Sequence, residues 1–171
     1  GQLVRGSRGA AGEVSFLPLF GNPEDPWAIE NGLAESVVGT KGILRRYKDL
    51  VGAETDLTVK EIFTLAIKGD VIANQVVEEI GKHLGYIAVS LKAIADPEII
   101  VLGGGIGSNA ILLPIVKKWA NKLVPFEIDI RITNLDAKAG VIGAAAYAAE
   151  KIRTRMMVET TERKINEQVS N

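Results

Sequence analysis

From Ala73 onward apolar residues return every three or four positions: Ala73, Val76, Val77, Ile80, Leu84, Ile87, Ala88, Leu91, Ile94 and Ala95. On an α-helix these positions share one face, so the spacing predicts the longest helix of the chain, with that face in the core and Asp70 as its cap. Just upstream, Thr58-Val59-Lys60-Glu61 has the capping-box spacing, in which a hydroxyl and a carboxylate satisfy orphan backbone donors reciprocally. It predicts a helix to about Lys68, stopped by Gly69. Shorter helical patterns fall at 29–38 and 43–51. Val14-Ser15-Phe16-Leu17-Pro18-Leu19 reads as a strand with Pro18 near its end, and the residues from Phe20 to Pro26 are dense in turn formers and read as a loop.

The second half has a different rhythm. Glu98-Ile99-Ile100-Val101-Leu102 is a continuous apolar run of the sort found in parallel strands covered on both faces, and it leads into Gly103-Gly104-Gly105-Ile106-Gly107. Pro114 fits a first helical turn and predicts a helix from there to about Leu123. Residues 127–133 alternate as a strand, and Asp136 can cap an alanine-rich helix from Ala137 to about Ile152. Strand, helix, strand, helix implies right-handed crossovers and a partly parallel sheet, hence an α/β fold. Residues 1–152 are expected to form one lobe, and the mostly polar 153–171 a helical extension or frayed tail.

Composition narrows the chemistry. The chain has 171 residues, 47% of them apolar, enough to bury a sizeable core. Its formal charge of −1 supplies no broad electrostatic footprint for nucleic acid. With no cysteine and a single histidine, His83, thiolate ligands are excluded and no histidine cluster can form, so no zinc is expected. His83, beside Lys82 on the long helix, reads as a packed or solvent-facing imidazole. Gly81 and Gly85 stand four apart among charged neighbours and predict close helix packing in water. No apolar stretch has the length of a membrane span and no secretory signal is evident, so a soluble, cytoplasmic protein is expected. Gly1 to Gly6 reads as the returning half of a hairpin, which is expected to continue something upstream.

Two places carry candidate chemistry. Glu13 ends a Gly9-Ala10-Ala11-Gly12 turn and reads as a surface residue or a ligand hook. The glycines from Gly103 to Gly107 lie beyond a strand's carboxyl end, where backbone amides can approach a nucleotide; a plain strand-to-helix turn fits equally. The dinucleotide fingerprint fails at Ser108, and Gly39-Thr40-Lys41-Gly42 has its Thr and Lys in the wrong order for a phosphate loop.

Taken together, Gly9-Ala10-Ala11-Gly12-Glu13, the run Ile99 to Leu102 into Gly103-Gly104-Gly105-Ile106-Gly107, and Ala139 to Ile152 resemble the ROK family of repressors, open reading frames and sugar kinases. The resemblance implies an actin-like ATPase fold of the ribonuclease-H type, a mixed sheet flanked by helices, with this chain as the second of two lobes. It implies sugar contacts at Glu13, in the family's Gly-Glu turn, and at Glu35, in Gly32-Leu33-Ala34-Glu35, where the family carries Cys-Leu-Glu. An ionised carboxylate suits this task because it accepts hydrogen bonds from several hydroxyls at once. Gly103, Gly104 and Gly105 would face a nucleotide.

This sequence departs from the family at two points. Phe16 stands where members often carry a histidine that serves sugar and zinc, and residues 21–27 replace the cysteine-rich zinc loop. These departures are similar to the zinc-free regulators of the family. They imply a sugar-sensing lobe of a homo-oligomeric transcriptional regulator, touching DNA only through an amino-terminal module outside this chain. The alternative implied is an ATP- and magnesium-dependent sugar kinase. The family's catalytic aspartate and its Asp-x-Gly-x-Thr turn cannot be located here, so this chain alone is expected to be inactive.

Overall fold

A computed structural model describes residues 3–135 and 138–169. Asp136 and Ala137, the expected cap and start of the last helix, lie outside the described residues. The elements run α1 (Pro26–Asn31), α2 (Glu35–Val38), α3 (Thr40–Val51), α4 (Val59–Ile67), α5 (Val71–Ala95), β1 (Ile100–Leu102), α6 (Gly104–Gly107), α7 (Leu112–Leu123), β2 (Ile130–Ile132) and α8 (Ala139–Val169). The chain divides into two units, Gly1–Ile132 and Thr133–Asn171. α8 belongs to the second. At 31 residues it exceeds the 25 of α5, and it carries on without a break beyond Ile152.

The core of the first unit is built on α5. Asp70 caps it by accepting from the Ala73 N–H at 2.8 Å, and Asn74 Nδ2 donates to the Ala66 carbonyl at 3.0 Å, joining it to α4. The capping box of α4 forms in both directions between Thr58 and Glu61. Because the Thr58 N–H and hydroxyl both donate to it, the Glu61 carboxyl is held below its usual value. Phe63, Ile43, Ile62, Val76, Val77, Leu112 and Val116 are almost wholly buried between these helices and α7. Gly81 and Gly85 explain how closely α7 approaches: a Cβ on Gly81 would lie 2.7 Å from Ile115 Cβ, and one on Gly85 would lie 3.1 Å from the Val116 carbonyl oxygen. The four-residue spacing is thus a packing device between helices.

β1 and β2 pair in parallel, Val101 opposite Arg131, as strands joined through a helix must. Two expectations from the apolar pattern need correction here. Val101 is 54% exposed, so β1 is not covered on both faces. Ile94 is 79% exposed although it continues the apolar stripe, because the last turn of α5 extends past the elements packed upon it.

A third correction concerns Val14 to Leu19, which form no strand. Val14–Phe16 is a single 3₁₀ turn, because the backbone spends its groups locally: Phe16 N–H donates to the Glu13 carbonyl and Leu17 N–H to that of Val14. The helical pattern at 29–38 is likewise broken. Gly32, at φ +107°, separates α1 from α2.

Candidate functional site

Glu13 is exposed and precedes the 3₁₀ turn. Two residues later the Ser15 carbonyl accepts from the Ala34 N–H at 2.9 Å, and a Cβ on Gly32 would lie 2.6 Å from the Ser15 carbonyl carbon. The segments that carry Glu13 and Glu35 are therefore stitched together backbone to backbone, with the glycine making room for the contact. Ala34 directly follows Leu33, so Glu35 stands one residue beyond the spacing of a Leu-Glu pair. Ala34 is fully buried, whereas Glu35 opens α2 and is exposed. Its carboxylate lies over Gly39, the N-cap residue of α3, where any Cβ would collide with it.

Glu35 looks into a cleft of about 390 Å³. Ser15 and Thr40 are its other side-chain hydroxyl groups, α5 supplies an aliphatic wall with Leu84, Ile87 and Leu91, and the turn leaving β1 closes one end with Gly103. Glu35 and Gly103 are thereby brought to one cavity. Glu13, Gly104 and Gly105 are not among its lining residues. Gly103 is the N-cap residue of the short α6, and side chains added at Gly104 or Gly105 would meet nothing within 4 Å, so the backbone there is open to approach. At φ +75°, Gly104 also holds a conformation that other residues adopt only with strain. One acceptor-only carboxylate and two hydroxyls against an aliphatic wall suit a ligand with hydroxyl edges and a C–H face.

Ser15, Gly39 and Thr40 were not singled out for this cleft by sequence. Gly39-Thr40-Lys41-Gly42 invited comparison with a phosphate loop. Its structural use is different: Gly39 starts α3, and Gly42 lets α3 lie against the backbone of Ser36 and Val37. Among the described residues, no three His, Cys, Asp or Glu side chains come together to hold a metal ion. No helix among them is long and apolar enough to cross a membrane.

His83 is packed, its ring 4.3 Å from that of Phe20. Burial lowers its pKa below the ordinary 6.5, the Lys82 ammonium adds to this, and the Glu79 carboxylate opposes it. The stability that neutral His83 contributes is therefore whole above about pH 6.5 and is lost as pH falls through the folded-state value, since the unfolded chain takes up the proton first. The depressed carboxylates Glu61, Glu78, Glu79 and Asp129 add losses only at lower pH, below an ordinary value of 4.5 for the glutamates and 3.8 for Asp129. Urea unfolding is expected to show stability falling between about pH 7 and pH 5. His83→Phe should flatten that slope, and an unchanged slope would assign it elsewhere.

The ROK family profile matches residues 1–151. The chain belongs to the ROK family. It is 29% identical over 161 residues to a glucokinase of Halalkalibacterium halodurans, covering 84% of this chain and 49% of that protein. Among solved structures it is similar to a ROK hexokinase from Thermus thermophilus, at TM-score 0.75 and 25% identity over 90% of this chain and 52% of the other. It also shares its fold with a ROK family transcriptional regulator, a homologue of the E. coli MLC protein, at TM-score 0.64 and 20% identity over 77% of this chain and 37% of the other. The fold is thus the α/β, actin-like one of ROK proteins, and this ROK chain spans about half the length of the kinases it matches.

In this ROK chain, Phe16 is 55% exposed at the position the resemblance assigns to histidine. The loop that stands in place of the zinc loop is fixed by Asp25, which accepts from the Trp27 N–H at 3.0 Å and pairs with Arg45 at 2.8 Å. The Arg45 guanidinium holds the Asp25 carboxyl below its usual value. The ion pair thus fastens this loop to α3, and the cap joins it to α1.

Proposed function

We propose that this chain is the sugar-binding lobe of a ROK protein. Glu35 accepts hydrogen bonds from sugar hydroxyls, and Glu13 reaches the same ligand from the adjoining turn. One observation carries this reading: Glu35 and the glycine turn at Gly103 face a single cleft, lined otherwise by aliphatic side chains with Ser15 and Thr40. The sensor role in a transcriptional regulator is supported by Phe16 and by a loop held without cysteines. DNA contact would then be made by an amino-terminal module outside these residues.

The second reading is ATP-dependent phosphoryl transfer to a sugar hydroxyl, supported by the likeness to a glucokinase and a hexokinase. Gly103, Gly104 and Gly105 would face the nucleotide there, and the open backbone at Gly104 and Gly105 fits such an approach. ATP with magnesium would supply the phosphoryl group. No catalytic aspartate with its Asp-x-Gly-x-Thr partner is identified in this sequence, so binding without turnover is expected of the chain by itself.

Calorimetric titration of the complete protein with glucose, followed by an assay of that complete protein for ATP-dependent phosphorylation, separates these readings. Glu35→Gln is expected to lower glucose affinity about tenfold, the size of one charge-assisted hydrogen bond, with thermal stability unchanged because the side chain is exposed. Unchanged affinity would remove Glu35 from the sugar site. Turnover with ATP would replace the sensor reading by the kinase.

A further inference from the structure

The surface where α5 meets α7 gathers cations around one indole. Trp119, on α7, is half-buried, and close packing fixes the base of its side chain: a Cβ on Gly85 of α5 would lie 2.9 Å from Trp119 Cβ. Three ammonium groups converge on its ring, with Lys122 Nζ at 4.9 Å, Lys82 Nζ at 5.1 Å and Lys118 Nζ at 5.6 Å from the centroid. Lys82 also stands 5.7 Å from the centroid of the Tyr86 ring, and Tyr86 meets Trp119 edge to face at 6.4 Å. None of these residues lines the Glu35 cleft.

The charges at this ring are not balanced. Glu78 places a carboxylate at the indole edge, accepting from Lys118 Nζ at 2.5 Å and from Trp119 Nε1 at 2.8 Å. Among the described residues, neither Lys82 nor Lys122 has an ion-pair partner. α7 carries Lys117, Lys118 and Lys122 and no acid. A chain of formal charge −1 thus bunches positive charge on one face. Cations held this close repel one another, and an anion set between them relieves the repulsion while each keeps its contact with the ring.

Glu78 shows how this surface takes up a carboxylate, which an ammonium and an indole N–H share. Beside Lys82 and Lys122 the cations stand without an acid. Leu123, four residues beyond Trp119 on the same helical face and 47% exposed, adds an apolar contact. A packed indole and phenol flanked by ammonium groups have the make-up of an interface anchor, in which aromatic side chains form the centre and charges at the rim steer and orient the partner. A bare inorganic anion answers only the ionic half of such a surface. An acidic polypeptide that also carries apolar side chains answers both.

We propose that this face is a docking surface for an acidic segment of a partner protein, whose carboxylates pair with Lys82 and Lys122 and whose apolar side chains cover Trp119 and Leu123. It is independent of the sugar-binding reading, and the two can fail separately.

The test follows the fluorescence anisotropy of a labelled octapeptide of glutamate and leucine as the complete protein is added. Saturable binding is expected, weakening as salt rises and screens the exposed charges. Lys82→Gln combined with Lys122→Gln should lower affinity about tenfold, and Lys122→Gln alone, at an exposed position, about threefold with thermal unfolding unaltered. Lys60→Gln combined with Lys68→Gln removes the same charge from exposed positions at α4 and should change affinity by less than about twofold. Glu35→Gln should leave peptide binding in place. Equal losses in the two double variants would reduce the effect to net charge and overturn the proposal. Inorganic tripolyphosphate binding as tightly as the peptide would make the patch a general anion site and overturn it too, as would the absence of saturable peptide binding by the complete protein.

Discussion

Gly32→Ala is expected to destabilise the protein by about 4 kcal/mol, a large part of the roughly 5–15 kcal/mol that holds a typical domain together. Two costs combine. At φ +107° and ψ 133°, Gly32 occupies a region that residues with a Cβ enter only under strain. The added carbon would also press on the Ser15 carbonyl, at 2.6 Å from its carbon, and that carbonyl is engaged by the Ala34 N–H. Neither atom is the end of a flexible side chain, so relief requires the backbone to part. A shift of the urea midpoint measures the loss. Because the same contact joins the Glu13 and Glu35 segments, glucose affinity should fall with it even where the variant is folded. A loss under about 1 kcal/mol would mean that the two segments do not meet as described.

Gly42→Ala is expected to cost about 2 kcal/mol, against the usual trend for a helix. Replacing glycine by alanine within a helix ordinarily stabilises by about 0.5–1 kcal/mol. Here the new Cβ would lie 2.7 Å from the Ser36 carbonyl carbon and 2.8 Å from Val37 Cα, both main-chain atoms. Steric cost therefore exceeds the gain in propensity. Gly105→Ala provides the contrast, since nothing stands within 4 Å of its added carbon, and its urea midpoint should move little. Equal behaviour of the two variants would show that α3 does not rest on α2 through Gly42.

The expectations that held rest on periodic or local signals. Thr58 and Glu61 satisfy each other within one turn, Asp70 caps α5 within three residues, and Gly81 and Gly85 repeat on one helical face, so each could be read without knowing what lies far along the chain. The corrections arise where a neighbour decides. Val14 to Leu19 has strand-like composition, yet its carbonyls at Val14 and Ser15, and that of Glu13 just before it, find partners in a turn and in Ala34. Val101 lies in a run suited to double burial, but burial depends on what covers each face.

The candidate sites divide in the same way. Sequence by itself determined the helix-rich α/β character, the absence of thiolate chemistry, the glycine turn after β1 and, through three motifs in order, the ROK resemblance. Tertiary structure alone decided that Glu35 and Gly103 share a cavity, that Glu13 stands outside its lining, and that His83 packs against Phe20. Residue type and spacing fix what a side chain can do chemically and how its own helix turns. Which groups converge is set by packing between distant segments, here by glycines that admit a backbone where any larger residue would hold it away.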